Sequence, residues 1–149
     1  ELPEKVFGNV QTRGDKILTT YDDRTQSTGI LLTGDKGPGK TMLTSILCNK
    51  MIDEGDPVAM VSEAYAGDDF TSLVNNLGEC VLLFDEFAKV YKGDSYHDTT
   101  KQNYLLSLMD GTGSNKRLVL LTENYEFNSS DFMMDRPGRI YYHFRYAKL

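Results

Sequence analysis

The stretch Gly34-Asp35-Lys36-Gly37-Pro38-Gly39-Lys40-Thr41 constrains this chain more than any other. It fits G-x-x-x-x-G-K-[ST], follows the apolar run Gly29-Ile30-Leu31-Leu32-Thr33, and opens a helix-like run, Met42-Leu43-Thr44-Ser45-Ile46-Leu47. Strand, glycine-rich loop and helix is the context this pattern requires. Glycines let successive backbone N–H groups turn inward around an anion. Lys40 then reaches the β/γ-phosphates of a nucleotide, and the Thr41 hydroxyl is placed to bind Mg²⁺. Gly34, Asp35, Lys36, Gly37, Pro38, Gly39, Lys40, Thr41 and Met42 are the candidate nucleotide cradle.

The 149 residues suit one domain with a sizeable core, and 40% hydrophobic with 26% charged residues is ordinary for a globular protein. A net charge of −6 gives no global reason for tight binding to nucleic acid or an anionic membrane, although a local basic patch stays open. No apolar run is long enough to span a bilayer, and no signal-peptide pattern opens the chain. Cys48 and Cys80 fall in expected core elements without metal-ligand spacing, so they read as reduced packing residues in cytoplasmic, cytosol-like surroundings. The chain begins without Met and stops shortly after a strand-like run, which reads as a piece of something longer.

Taken in order, residues 1–27 show a weak pattern. Ile17, Leu18 and Tyr21 share a helical face opposite Asp15, Lys16 and Asp22, which predicts a short helix between loops. Val6-Phe7-Gly8 reads either as a wall of an adenine pocket or as ordinary surface packing. A helix runs to about Glu54, and Gly55-Asp56-Pro57 is a turn. Val58-Ala59-Met60-Val61 is the second strand, residues 68–77 form a helix stopped by Gly78, and Cys80-Val81-Leu82-Leu83-Phe84 is a strand covered on both faces. Residues 102–109 carry apolar side chains at helical spacing between two loops. Residues 117–122 are another buried strand, Ser129 or Ser130 caps a short helix ending before Pro137, and Ile140-Tyr141-Tyr142-His143-Phe144 closes the sheet. Five apolar runs alternating with helices predict a parallel α/β sandwich.

Asp85 and Glu86 end the third strand. Ligands of a parallel sheet gather at the carboxyl ends of strands, so both acids should project toward the phosphate loop. There Asp85 can hold Mg²⁺ through its water shell while Glu86 polarises the attacking water. A solvated acidic pair is the plainer alternative. Asn124 follows the fourth strand; if that strand lies beside the first, its amide can hydrogen-bond the γ-phosphate and the lytic water. Glu123, just before it, reads as solvent-facing. Arg136-Pro137-Gly138-Arg139 sets two guanidinium groups either side of a rigid turn, suited either to a neighbouring subunit's nucleotide or to a basic surface turn.

In this order, Gly34–Thr41, Leu82-Leu83-Phe84-Asp85-Glu86, Leu108-Met109-Asp110-Gly111, Thr122-Glu123-Asn124 and Arg136-Pro137-Gly138-Arg139 resemble the AAA+ ATPase large subdomain, from the Walker A and Walker B motifs onward. The last two glycine-containing patterns resemble the AAA clade proper, the mitochondrial Rieske-protein translocase type included. The resemblance covers residues 29–149, leaving 1–28 as a lead-in. It implies a three-layer P-loop NTPase fold of the ASCE type, with a five-stranded parallel sheet in the order 5-1-4-3-2. It also implies ATP and Mg²⁺ as ligands, a ring (usually a hexamer), Asn124 as a sensor, and Arg136 and Arg139 as fingers completing the next subunit's site.

Three departures stand out. Pro38 occupies a position usually held by Thr or Ser and lacks an N–H, forgoing a donor worth about 1–3 kcal/mol to a charged group. The chain ends before the family's helical lid and its second sensor arginine would begin. The stretch between the second and third strands is short, and its Tyr65-Ala66-Gly67 reads either as an aromatic pore loop or as a plain turn; Tyr96 and His97 are a weaker second pore-loop candidate. The leading function is a ring ATPase that remodels or translocates a protein client. The alternatives are a DNA loader or motor on the same core, a small-molecule kinase, and a nucleotide-gated scaffold with little turnover.

Overall fold

The computed structural model describes residues 4–34, 38–61, 68–86, 116–123 and 140–146. Their order is α1 (Glu4–Asp23), β1 (Thr28–Gly34), α2 (Pro38–Asp53), β2 (Val58–Val61), α3 (Asp68–Leu77), β3 (Cys80–Phe84), β4 (Arg117–Glu123) and β5 (Ile140–Tyr146). All strand pairs are parallel, in the order β2-β3-β4-β1-β5. This is the expected 5-1-4-3-2 sheet. The expected helices over 102–109 and before Pro137, and residues 62–67 and 96–97, lie outside the described residues.

The central strands explain their own sequences. Every residue of β3 and β4, and all of β1 except Gly34, is buried, because helices cover both faces. On one face α1 and α2 bring Val10, Ile17, Tyr21, Leu43 and Leu47 onto Ile30, Leu32, Val81, Leu118 and Leu120. On the other, α3 lays Val74 on Leu31, Leu82, Phe84, Val119 and Leu121. Each fully buried Leu, Ile or Val contributes about 2 kcal/mol relative to exposure. Edge strands read differently: Met60 in β2 is 70% exposed and Tyr141 in β5 is 46% exposed.

The first helix corrects the sequence reading. In place of a short helix between loops, α1 runs 20 residues. Gly8 and Gly14 weaken its intrinsic helix propensity, but Val10, Ile17 and Tyr21 are each buried to 2% exposure or less and belong to the α2-side core. Tertiary burial extends what local propensity leaves weak. Helix α2 begins on Pro38, where the missing N–H would lack an intrahelical partner and the ring's fixed φ suits a first turn. It ends in a Schellman arrangement: the Gly55 N–H donates to Ile52 O, and the Asp56 N–H to Met51 O, both at 2.9 Å, with Gly55 at φ 92°.

Candidate functional site

Because β1 has β5 on one side and β4 on the other, strand order reverses there, and a crevice opens at the carboxyl ends. Lys40, in the first turn of α2, is only 6% exposed. Its Nζ donates to the main-chain carbonyls of Gly34 at 2.6 Å and Glu123 at 3.1 Å, tying the end of β1 to the end of β4. Glu123 is therefore not the solvent-facing residue the sequence suggested. It is 5% exposed and sits in register with Thr33, at the ends of two strands buried along their length.

Asp85 and Glu86 leave β3 in a turn. Glu86 has φ 50°, a left-handed conformation that costs a non-glycine residue about 1–2 kcal/mol. Thr122 of β4 helps offset this: the Glu86 N–H donates to Thr122 Oγ1 at 2.9 Å, and that hydroxyl donates to Asp85 Oδ1 at 2.5 Å. One hydroxyl thus fixes the direction of the strand exit and one oxygen of Asp85. Thr122 had no separate role in the sequence reading. The signal that would have found it is a hydroxyl at the carboxyl end of a strand flanking an acidic pair.

Lys40, Thr41, Asp85, Glu86 and Thr122 all line a single cavity of about 550 Å³. Its far wall is Cys48 of α2 with Val58, Met60 and Leu83. Burial pushes the Cys48 thiol above its ordinary value, so it behaves as a protonated wall residue. Among the described residues, no group of three or more His, Cys, Asp or Glu could hold a metal by itself. The Thr41 hydroxyl and the Asp85 carboxylate are hard oxygen donors beside the same volume. That donor set fits Mg²⁺, which keeps several waters and takes one or two protein oxygens plus phosphate. Gly34, Gly39 and Met42 do not line this cavity: Gly34 and Gly39 lie against Tyr146, and Met42 packs against the α2-side core. Asp35, Lys36, Gly37, Asn124, Arg136 and Arg139 lie outside the described residues, and of Pro38 only the backbone is described.

At the other mouth of the loop, burial pushes the Tyr146 phenol up, with the Arg13 guanidinium acting in the opposite direction. Gly34, at φ 129°, leaves no room for a Cβ, which would collide with the main-chain carbonyl of Tyr146.

This geometry agrees with what the chain is similar to. A family model described as Novel STAND NTPase 3, nSTAND3, matches residues 16–142. The chain belongs to the nSTAND3 family. Among curated relatives, the ATP-dependent zinc metalloprotease FtsH of Caldicellulosiruptor bescii is 29% identical over 133 residues, covering 74% of this chain and 20% of that protein. ATPase family gene 2 protein of Saccharomyces cerevisiae is 29% identical over 126 residues, covering 74% of this chain and 16% of that protein. The YME1 homolog of Caenorhabditis elegans is 27% identical over 124 residues, covering 74% and 17%. The nSTAND3 chain thus spans about a fifth or less of these relatives. A closed-state structure of Hsp104 with ATPγS and FITC casein has the same fold, with a TM-score of 0.57 and 16% identity over 93% of this chain and 32% of that one. The nSTAND3 chain is accordingly a member of an NTPase family with the fold of that structure, in keeping with the AAA+ resemblance of its motif order. Among the described residues, no helix is long and apolar enough to cross a membrane.

Proposed function

We propose that this domain binds Mg-ATP at the Lys40 crevice and hydrolyses it, and that in a ring it powers remodelling or translocation of a protein client. The observation that carries this reading is the convergence of Lys40, Thr41, Asp85 and Glu86 on one cavity, with Thr122 locking the acidic pair. Nucleotide phosphates, entering at the loop, offer Lys40 anionic oxygens in place of the neutral carbonyls of Gly34 and Glu123. Thr41 and Asp85 would hold Mg²⁺, which when bound would supply positive charge against that of the phosphates. Glu86 accepts a proton from the water attacking the γ-phosphorus, and its fixed backbone orients the carboxylate for that water.

In the same proposal Asn124 orients the lytic water, and Arg136 and Arg139 complete the site of the next subunit in a ring, with a hexamer the expected size. The relatives named ATP-dependent proteases support a protein client. A DNA client is less favoured on charge. A nucleotide-gated scaffold with little turnover is the second reading, and Pro38 at the loop favours it.

The deciding experiment compares Glu86→Gln with wild type. Glu86→Gln should bind Mg-ATP as wild type does while its single-turnover hydrolysis falls about 10²–10³-fold. Brisk hydrolysis by Glu86→Gln would remove the base from this residue. A wild-type protein that binds Mg-ATP without measurable turnover, even when assembled, would favour the scaffold.

A further inference from the structure

The phosphate loop is gripped from outside by a residue that belongs to none of the sequence motifs. β5 extends to Tyr146, pairing its last residues with Thr33 and Gly34 of β1. Tyr146 therefore meets the loop at its first residue, where its carbonyl fills the space a Gly34 side chain would need. Its ring meets the loop again at Gly39: a Cβ there would lie 3.0 Å from two ring carbons. Gly39 sits in α2 and is not among the positive-φ glycines, so the ring, not the backbone conformation, crowds a methyl group there. The Arg13 guanidinium of α1 covers the ring at 5.0 Å and the Phe144 ring at 4.8 Å. The contacts to Gly34 and Gly39 are made by the Tyr146 carbonyl and ring carbons, not by its hydroxyl.

A glycine-rich loop has many conformations to lose when it closes on phosphate. A wedge that holds both of its ends before ligand arrives reduces that loss, which raises affinity without adding a ligand contact. We propose that Tyr146, backed by Arg13, is a positioning residue that preorganises the phosphate loop through Gly34 and Gly39. This rests on the Mg-ATP reading above and adds to it a residue acting at second hand.

The test is calorimetric titration of the chain with Mg-ATP, well below the melting temperature of each variant. Tyr146→Ala should raise Kd about tenfold, and Tyr146→Phe should stay within about twofold of wild type. Tyr146→Leu, which keeps apolar volume without a flat ring, should resemble Ala and serves if Ala fails to fold. Gly39→Ala should also cost about tenfold, by pushing against the ring. The double variant Gly39→Ala with Tyr146→Ala should bind no worse than the weaker single variant, because both disturb one contact. Independent effects would multiply to about a hundredfold and overturn the proposal. So would a Tyr146→Ala protein with wild-type Kd, or a Phe variant as weak as Ala. If wild type binds no Mg-ATP, or Lys40→Ala binds as wild type does, the nucleotide reading falls and this inference with it. If Lys40→Ala abolishes binding while Tyr146→Ala and Tyr146→Leu leave it intact, only the Tyr146 inference falls.

Discussion

Each end of this sheet buries a cation, and the two cations are used differently. At the amino end Arg117 is 1% exposed, donates from Nη2 to Asn75 Oδ1 at 2.6 Å, and gives its main-chain N–H to Ser27 Oγ at 2.9 Å. Beside it Lys116 Nζ donates to the carbonyls of Tyr21 at 2.9 Å and Arg24 at 3.2 Å, closing the end of α1 onto the start of β4. At the carboxyl end Lys40 also rests on carbonyls, but it faces the 550 Å³ cavity together with two acids. The amino-end bonds join α1, α3 and β4 to one another and act as framework. The carboxyl-end groups surround open volume and are available to a ligand. Burial and charge alone do not separate structure from function here; adjacency to open space does.

That contrast can be broken most directly at Lys40. Lys40→Ala should weaken Mg-ATP binding about 10³-fold, as expected for two charge-assisted phosphate contacts at roughly 2 kcal/mol each. Its melting temperature should stay within about 3 °C of wild type, since water from the cavity can reach the freed carbonyls. A Lys40→Ala protein that unfolds would put Lys40 in the framework class. Arg117→Met should do the reverse, costing about 3 kcal/mol of stability, or roughly 10 °C of melting temperature, with Mg-ATP affinity intact. Wild-type stability for that variant would end the framework reading of the amino end.

Alkaline pH probes both ends together. Burial raises the thiols of Cys48 and Cys80 above their ordinary 9.0, and the phenols of Tyr21 and Tyr146 above 10.0. At neutral pH all four groups are protonated in both folded and unfolded chains, so their contribution is constant there. As pH rises past 9 and then 10, the unfolded chain ionises first, and stability should fall by up to about 1.4 kcal/mol per pH unit for each group. Denaturant midpoints that stay flat from pH 8 to 10.5 would contradict this burial. The smallest effect is expected for Thr122→Val, which keeps the side chain's shape. It should cost about 1 kcal/mol of stability and about tenfold in hydrolysis, with Mg-ATP binding unchanged. Unaltered hydrolysis would make Thr122 a packing residue only.

Much of this was legible in the chain. The spans of β2, α3 and β3 follow from apolar runs bounded by Gly55, Pro57 and Gly78, because turn chemistry and periodicity act between near neighbours. The strand before the octapeptide 34–41 and the helix that starts within it were legible for the same reason. The length of α1 was not, since Gly8 and Gly14 mask a helix that gains its stability from α2 and the sheet. Nor was the burial of Glu123, which depends on what packs around the end of β4.

The amino-acid sequence by itself determined the layered parallel α/β fold and marked the Lys40 stretch and the acidic pair as site candidates, because each is written in residues adjacent along the chain. Only the tertiary structure decided which distant groups hold them in place. Lys40 meets a carbonyl 83 positions away, Asp85 is held by a hydroxyl 37 positions away, and the loop's glycines lie against the last residue of β5. Such contacts depend on sheet order and register, which set distances between residues that no local pattern relates.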